Sequence, residues 1–259
     1  MSEEKEFKVE EFKVDWEAVF EPDDYLYFYY EGLAGERNKM EVDFIARELN
    51  LTEPKKILDL ACGYGRHANK LATLDHDVTG VDITKGFLEI AEREAKEMSV
   101  KVRYILQDMR EINFNNEFDC AISMSTAFGY FEDNDNFKVL ENVSRALKKG
   151  GLFLLDLANR DFILRNFLPY IVVEKAKDLM IDLNKLDIVE GRLYNRRIVF
   201  RNGVMKEKPF FIRFYAPTEI RDLLNKAGLK VLKIFGNYDS SPFNINSRRM
   251  IVIAEKVSN

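Results

Sequence analysis

The 259-residue sequence predicts an α/β fold built on a doubly wound, mostly parallel sheet of seven strands. From Lys56 to about residue 157, short apolar runs alternate with helical segments of about 10–15 residues, which indicates a parallel sheet covered on both faces. After residue 165 the pattern changes to runs of alternating apolar and polar residues separated by turn signals, which is typical of antiparallel strands. The sequence therefore predicts an N-terminal helical cap, a doubly wound core and a small antiparallel β insert.

The parallel part rests on five apolar runs, at residues 56–60, 77–81, 101–106, 118–123 and 152–157. Three helices are predicted between these strands, at about 65–74, 84–98 and 133–147. The last of them is followed by Lys-Lys-Gly-Gly at 148–151, and a basic last turn before glycine is a helix-stop signal. The fifth strand is accordingly expected to begin at Leu152.

Two segments before the core predict the cap. In residues 38–49, helical spacing places Met40, Phe44, Ile45 and Leu49 on one face, which predicts a helix packed on the sheet. The aromatic stretch YLYFYYEG at 25–32 has two interpretations. Its tyrosines either form a lid over a ligand, with cation–π attraction to a bound cation, or pack the N-terminal helices onto the sheet.

The chain after residue 165 supplies the insert and the end of the sheet. Asn202-Gly203 between alternating runs is a hairpin signal, and residues 170–215 are interpreted as the antiparallel insert. A helix ended by Gly228 and two closing strands follow, with the last strand expected to be antiparallel. The predicted division is a cap at 1–50, a core at 51–165 with 216–259, and an insert at 166–215.

Composition excludes several classes of protein. A hydrophobic content of 46% and a charged content of 32% are typical of a globular chain, and the net charge of −5 disfavours nucleic acid and anionic membranes as partners. Two cysteines give no disulfide framework, and two histidines make a histidine-built metal site unexpected. The acidic start MSEEKEFKVEEFK differs from a signal peptide. These features predict a cytoplasmic protein without a metal or a membrane span.

A glycine-rich turn predicts a nucleoside site. Gly63-Tyr64-Gly65-Arg66-His67-Ala68 fits the pattern G-x-G-x-x-G/A between a strand and a helix, where a Rossmann-like fold brings backbone N–H groups close to a ligand. Asp82 ends the second strand 19 residues after Gly63, a spacing at which an acid accepts hydrogen bonds from ribose hydroxyls. A structural glycine turn with a surface acid is the alternative. The turn alone fits both a nicotinamide and an adenosine ligand.

The end of the third strand favours adenosine. In LQDMREI, Asp108 is followed by the apolar Met109. A carboxylate can accept a hydrogen bond from the exocyclic amine of adenine while an apolar neighbour packs on the ring. The alternative is a loop aspartate that caps a turn.

These segments resemble the motifs of the class I S-adenosylmethionine-dependent methyltransferases. ILDLACGYG is similar to their first motif, VTGVDIT to the second, LQDMREI to the third and FDCAISMSTAFGYF to the fourth-strand segment. FYAPTEIRDLLNKAGLKV is similar to their C-terminal part, and the resemblance spans about residues 25–257. Within this class the chain most resembles small-molecule N-methyltransferases of the glycine/sarcosine type. The resemblance implies S-adenosyl-L-methionine as cofactor.

The resemblance also implies roles for individual residues. Arg37, with Tyr27 or Tyr30 beside it, would pair with the methionyl carboxylate, and the backbone of Ala61 and Gly63 would contact the methionyl part. Asp82 would hold the ribose, and the adenine would lie against Ile83, Asp108 and Met109. Met124 would lie near the sulfonium, and Tyr130 would face the acceptor. The family's acceptor-carboxylate arginine is missing, because Ala158 stands at its position, although Arg160 lies two residues later.

The expected activity is in-line methyl transfer to a nitrogen or oxygen nucleophile of a small-molecule acceptor. The alternatives are an RNA or protein methyltransferase and an NAD-dependent oxidoreductase. The Asn/Asp-Pro-Pro-aromatic tetrad used for planar nitrogens is absent, since SMSTAFGY follows the fourth strand. Tyr130, Tyr215 and His67 are candidates for a general base, with Tyr130 preferred. The insert is expected to select the acceptor.

Overall fold

A computed structural model describes residues 14–257, so the acidic segment 1–13 lies outside the described residues. The chain forms a seven-stranded sheet between helical layers and a separate four-stranded sheet. The helices are α1 (Trp16–Val19), α2 (Pro22–Leu33), α3 (Glu36–Glu48), α4 (Arg66–Ala72), α5 (Lys85–Glu97), α6 (Asp133–Ala146), α7 (Arg160–Arg165) and α8 (Pro217–Lys226). The strands are β1 (Lys56–Leu60), β2 (Asp77–Asp82), β3 (Val102–Leu106), β4 (Phe118–Ser123), β5 (Leu147–Ala158), β6 (Tyr170–Lys175), β7 (Asp178–Asp187), β8 (Arg192–Arg201), β9 (Val204–Arg213), β10 (Leu229–Phe235) and β11 (Arg249–Lys256).

The main sheet confirms the predicted doubly wound, Rossmann-like class. Its strand order is β10-β11-β5-β4-β1-β2-β3, and β1 pairs in parallel with both β2 and β4. The last strand, β11, is antiparallel to both β5 and β10. The chain leaves β1 towards β3 on one side and continues from β4 to β5 on the other. This change of direction opens a crevice at the carboxyl ends of β1 and β4, where ligands of such sheets bind.

The two faces of the sheet bury separate apolar layers. Ile57 of β1 packs with residues of α3 and α4, while Leu58 and Leu60 pack with residues of α6 and α8. All three side chains are fully buried, and each such burial contributes roughly 1.5–3 kcal/mol. The predicted helix over 38–49 is confirmed as α3, but Met40 is 43% exposed. The buried face of α3 is rotated towards Glu41, which is itself fully buried.

The prediction of a glycine stop after α6 was wrong. The helix ends at Ala146, and residues 147–151 already belong to β5. Phe118 of β4 pairs with Leu147 and Cys120 pairs with Leu152, so the extra residues form a bulge in β5. A Cβ at Gly151 would lie 2.8 Å from the Lys148 carbonyl oxygen, so glycine permits the close backbone of this bulge.

The insert is an antiparallel meander of β6, β7, β8 and β9. The predicted hairpin at Asn202-Gly203 is confirmed, and both residues have the positive φ of a type I′ turn, 53° and 77°. The first two strands of the insert are separated by a turn at Ala176 and Lys177, where Ala176 has φ 56°. This turn has no glycine or asparagine to mark it. No helix between residues 14 and 257 is long and apolar enough to cross a membrane.

Candidate active site

A cavity of about 290 Å³ lies at the carboxyl ends of the central strands. Three parts of the chain wall it: the core loops, helices α1 and α2 of the cap, and strands β8 and β9 of the insert. The core loops contribute the predicted residues Ala61, Gly63, Asp82, Ile83, Asp108, Met109, Met124 and Tyr130. With the candidate base His67, which also lines the cavity, nine of the predicted site residues are brought together.

The two glycines of the turn have different surroundings. Both have positive φ, 56° at Gly63 and 78° at Gly65. A Cβ added at Gly65 would lie 2.3 Å from the Tyr104 hydroxyl and 2.7 Å from the Ala91 Cβ, so this glycine permits close packing of α4. A Cβ at Gly63 would meet no atom within 4 Å, because Gly63 faces the cavity. The first glycine therefore leaves room for a ligand.

Asp82 is buried at the end of β2. Its two carboxylate oxygens accept hydrogen bonds of 2.8 Å from the backbone N–H groups of Gly63 and Thr84. Burial raises the pKa of Asp82, and these backbone hydrogen bonds oppose the rise. The carboxylate thus joins the glycine turn to the wall of the cavity and keeps lone pairs for a ligand.

Asp108 has a partner that the sequence interpretation did not include. Arg110 donates to both carboxylate oxygens, with its Nη2 atom 2.6 Å from Oδ2, and also pairs with Asp135 at 2.9 Å. The Arg110 guanidinium lies 4.2 Å from the centre of the Phe131 ring. Asp108 is therefore held rigidly against the cavity beside Met109.

The backbone after β4 is unusual. Ser125 and Thr126 follow Met124 with φ of 58° and 62°, a conformation that costs L-residues energy. The fully buried Asp156 of β5 supports it, because its Oδ2 atom accepts a 2.8 Å hydrogen bond from the Ser125 N–H. Tyr238 donates to the same oxygen and Arg249 to the other, each at 2.8 Å.

A buried cluster around Glu41 was missed by the sequence analysis. Glu41 of α3 accepts hydrogen bonds from Arg37 Nε at 2.9 Å, from His67 Nε2 at 2.8 Å and from Arg66 Nη1. Burial raises the pKa of Glu41, but these hydrogen bonds and charges lower it well below its usual range. Burial and the Arg66 charge lower the pKa of His67 to about 4, so the imidazole is neutral at pH 7. Arg66 also reaches Ser125 Oγ at 2.8 Å.

The structure does not bring Arg37 to the cavity. Its side chain is 44% exposed and contacts Glu41 and the Gly32 carbonyl. Arg66, by contrast, lines the cavity and is nearly buried. The predicted partnership of Arg37 with a methionyl carboxylate does not fit this placement, because α3 directs Arg37 to the outer side of the shared glutamate.

Tyr27 and Tyr30 also lie outside the cavity, for a geometric reason. Tyr25 and Tyr29 stand four residues apart on the cavity-facing side of α2, and Tyr27 is rotated by about 200° from Tyr25. Tyr27 instead contacts the insert, where its hydroxyl donates to the Lys175 carbonyl at 3.1 Å. Tyr30 is 46% exposed and lies beside Tyr64. The aromatic segment does line the cavity, but through a different pair of tyrosines.

One part of the cavity is an aromatic compartment, formed by Trp16, Phe20, Tyr25, Tyr29, Tyr130 and Phe210. The Tyr130 ring is central, with its centroid 5.7 Å from that of Trp16, 5.5 Å from Phe20 and 6.1 Å from Phe210. Burial raises the pKa of Tyr130 far above its usual range, so its hydroxyl stays protonated. Arg197 of β8 completes this wall.

Two other candidates lie elsewhere. Arg160 contacts the Ile188 carbonyl at 3.3 Å and Asp161, and it does not line the cavity. Tyr215 packs against Phe128 outside the cavity lining. Within residues 14–257 no group of three or more His, Cys, Asp or Glu side chains could hold a metal ion.

Known proteins match both the sequence and this fold. A family model described as a methyltransferase domain matches residues 57–151. A protein of Geobacillus sp. (strain WCH70) named as a methyltransferase is 33% identical over 220 residues, which span 78% of this chain and 85% of that protein. The chain belongs to the class I S-adenosylmethionine-dependent methyltransferases.

Two further likenesses are to a curated relative and, for the fold alone, to a solved structure. A glycine/sarcosine N-methyltransferase of Parasynechococcus marenigrum (strain WH8102) is 27% identical to this methyltransferase over 238 residues, covering 86% of this chain and 83% of the relative. The solved S-adenosylmethionine-dependent methyltransferase of Clostridium acetobutylicum has the same fold, with a TM-score of 0.77 at 21% identity, covering 92% and 99% of the two chains.

The cofactor of this methyltransferase is S-adenosylmethionine, as the resemblance implied, and not NAD. The residues present fit such a ligand. Gly63 opens onto the cavity without a protein atom in front of it, and a buried carboxylate lies beside it at Asp82. An arginine, Arg66, also lines the cavity.

Proposed function

We propose that this methyltransferase transfers the methyl group to a nitrogen or oxygen atom of a small molecule held in the aromatic compartment. One observation carries the proposal: the glycine turn and the aromatic residues of the cap and the insert line a single cavity. A cavity of this size and apolar lining suits a small acceptor.

The geometry supports a specific seat for the cofactor. Asp82 takes the ribose hydroxyls, each charge-assisted hydrogen bond contributing roughly 1.5–3 kcal/mol. Ile83 and Met109 pack on the adenine, with Asp108 at its edge. At the other end, Arg66 replaces Arg37 as the partner of the methionyl carboxylate, since Arg66 faces the cavity beside Ala61 and Gly63.

The reaction depends more on how the protein positions the acceptor than on covalent catalysis by its side chains. The bound cofactor supplies a methyl group that is electrophilic because it is attached to a sulfonium. The protein has to align the acceptor with that methyl near Met124, and such alignment can contribute roughly 7–11 kcal/mol. The aromatic walls exclude water from the reacting groups.

Tyr130 acts in this proposal by position and not as a base. Its raised pKa keeps the hydroxyl protonated at neutral pH. His67 is a weak base, because its pKa is lowered to about 4 and its Nε2 contacts Glu41. The acceptor therefore reaches the methyl with its lone pair already free, as an amine free base or an ionised oxygen does.

A macromolecular acceptor fits less well. The compartment is lined by Trp16 and Phe20 of the cap and by Phe210 of the insert, which leaves room for a small acceptor among aromatic side chains. The net charge of −5 also disfavours RNA. The relative from Parasynechococcus is named for small amino acids, which supports a small acceptor here. In this proposal residues 1–50 act as the cap, 166–215 as the acceptor-binding insert, and the rest as the cofactor-binding domain.

Two measurements test the proposal. Calorimetry should detect binding of S-adenosylmethionine and none of NAD. A labelled-methyl assay with small amines, phenols, carboxylates and bulk tRNA should then give transfer to a small molecule. Asp82→Ala is the matched variant, and it should lose both binding and transfer. Methylation of tRNA or of a protein, with no small acceptor, would contradict the proposed acceptor class.

A further inference from the structure

Arg197 is a buried charge in the wall of the acceptor compartment. It lies on β8 of the insert and faces the cavity, with only 9% of its surface exposed. Its Nε and Nη2 atoms bind the two oxygens of Asp182 on β7, at 2.7 and 2.9 Å. The guanidinium lies 5.1 Å from the centre of the Phe210 ring and 5.6 Å from that of Tyr29. The position and the plane of the Arg197 guanidinium, a fork of N–H donors, are therefore both fixed.

The hydrogen-bonding capacity of Arg197 is not exhausted by these contacts. A guanidinium has five N–H donors, and Asp182 takes two of them. The Tyr29 hydroxyl is a further partner and accounts for at most one more donor. Across residues 14–257, Arg197 makes no other hydrogen bond. At least two N–H donors are thus left on a side chain that faces the cavity.

The hydroxyls near Arg197 add further donors. Tyr25, Tyr29 and Tyr130 line the same compartment, and burial raises the pKa of each hydroxyl. These hydroxyls remain protonated and available to donate. Asp182, the nearest carboxylate, does not line the cavity and uses both oxygens on Arg197. This end of the cavity is therefore rich in donors.

Stability alone is a weak explanation for such an arrangement. Replacing a buried ion pair by apolar side chains of similar volume is often neutral or stabilising. Phe210 and the tyrosines already provide apolar packing around this position. A charged fork that faces a cavity and keeps free donors is better explained by a ligand that it binds.

We propose that Arg197, oriented by Asp182 and assisted by Tyr29, anchors a carboxylate of the methyl acceptor. This anchor would take over, from the insert, the function of the arginine that is absent at Ala158. A planar guanidinium matches a carboxylate better than a lysine would, because it can donate two parallel hydrogen bonds. The inference rests on the proposed function, since it concerns the acceptor of the same site.

Trp16 offers a readout that does not depend on turnover. It is the single tryptophan of the chain, it lines the cavity, and its ring lies 5.7 Å from that of Tyr130. We would titrate benzoate and benzamide, which have similar shapes and differ in charge, and follow Trp16 fluorescence in the presence of S-adenosylhomocysteine. Benzoate should bind the native protein at least about 10-fold more tightly than benzamide, which corresponds to about 1.4 kcal/mol.

The variants separate an anchor from a structural residue. In Arg197→Met combined with Asp182→Leu, which leaves no buried charge unpaired, the preference for benzoate should fall to about 1. Arg196→Met is the matched control. Arg196 lies on the other face of β8 and makes the same kind of bidentate pair, with Glu207 of β9. This variant should keep the preference. Arg197→Lys keeps the charge without the fork, so its preference should be intermediate.

The proposal is overturned if benzoate and benzamide bind the native protein equally or not at all. It is also overturned if the double variant, with S-adenosylmethionine affinity intact, keeps the preference. Failure of the proposed function has a different signature. In that case Arg197 would still select benzoate, while the methyl-transfer assay would give no small-molecule product.

Discussion

Gly63 and Gly65 stand two residues apart in one turn, but substitution at Gly63 should mainly affect cofactor binding and substitution at Gly65 should mainly affect stability. Alanine at Gly63 meets no protein atom, so its cost is the positive φ, about 1–2 kcal/mol. Its methyl group would occupy space that faces the cavity. Alanine at Gly65 would also have to displace Ala91 and Tyr104, and such overpacking costs roughly 1–3 kcal/mol more.

We therefore predict that Gly63→Ala weakens S-adenosylmethionine binding at least about 10-fold with a small loss of stability. Gly65→Ala should show the larger loss of stability. Calorimetry and urea unfolding on both variants measure the two effects. The distinction is wrong if Gly63→Ala binds the cofactor normally or proves the less stable of the two.

His67 should titrate far below an ordinary histidine. Its pKa is lowered from 6.5 to about 4, because burial and the Arg66 charge disfavour the imidazolium. Between these two pH values the unfolded chain binds a proton that the native chain does not. The contribution of His67 to stability is therefore complete above pH 6.5 and decreases as the pH falls towards 4, by about 3 kcal/mol in total.

Proton NMR can check this prediction directly, because the chain has two histidines. The His76→Gln variant assigns the remaining imidazole signal to His67. That signal should stay in its neutral position down to about pH 5. A midpoint near 6.5 would show that the imidazole is not held neutral beside Glu41. The free energy of unfolding of His67→Gln, measured with urea, should also decrease less steeply with falling pH than that of the native chain.

At the residue scale, proximity in sequence decided which site residues could be predicted. Asp82 and Asp108 stand at strand ends, where a short motif fixes their position relative to the sheet. Arg197 reaches the cavity from an insert more than a hundred residues after the glycine turn, and no local pattern marks it. Arg66 stood inside the glycine motif, but the composition of that motif does not reveal that Glu41, from another helix, orients its side chain.

At the scale of elements, α2 is fastened to the insert by charge. Asp24 of α2 is buried and accepts from Lys208 at 2.8 Å, from Lys206 at 3.0 Å and from Arg201 at 3.2 Å. Burial raises the pKa of Asp24, but hydrogen bonds from Lys208 and Lys206 lower it well below its usual range. Lys175 adds a hydrogen bond to the Tyr27 carbonyl at 2.9 Å. These contacts hold one wall of the cavity against another.

We predict that Asp24→Asn loosens α2 and destabilises the protein by up to about 3 kcal/mol, because the buried Lys208 then keeps only Glu21, 3.8 Å away, as a counter-charge. Hydrogen exchange should accelerate in α2 and β9 before it does in the central strands. The matched control is Asp23→Asn, since Asp23 is exposed on the same turn. Equal exchange in the two variants would contradict an electrostatic role for Asp24.

The elements themselves were predicted best where a strong pattern coincides with full burial. The strand limits at 56–60 and 118–123 were correct, because these strands are apolar and centrally placed. The start of β5 was missed, because Lys148 and the glycines resemble a helix stop. These residues instead form a bulge, in which Lys148 makes a salt bridge of 2.7 Å with Asp119. The turn at Ala176 was missed because alanine with positive φ carries no sequence signal. Tertiary pairing set both features.

At the scale of the whole molecule, different segments of the chain supply the residues that line the cavity. The core loops supply the glycine turn, Asp82 and Asp108, while the insert supplies Arg197 and Phe210. The cap contributes Tyr25 and Tyr29 to the same lining. In the proposed function, cofactor binding and acceptor selection are therefore carried by separate segments of one chain, joined through α2.

This separation leads to a prediction about exchange of the insert. Replacing residues 166–215 by the corresponding segment of a related methyltransferase should change acceptor preference in the labelled-methyl assay. The dissociation constant for S-adenosylmethionine should stay within about 3-fold, or less than 1 kcal/mol, because the insert does not form the glycine turn.

The exchanged segment has to retain Arg201, Lys206 and Lys208, because Asp24 would otherwise lose its partners and the cap would move. A second chimera that lacks these three cations serves as the control, and it should lose stability without gaining a new acceptor. If cofactor affinity collapses in the first chimera as well, then the insert shapes the cofactor seat. Acceptor selection would in that case not be a separable property of this fold.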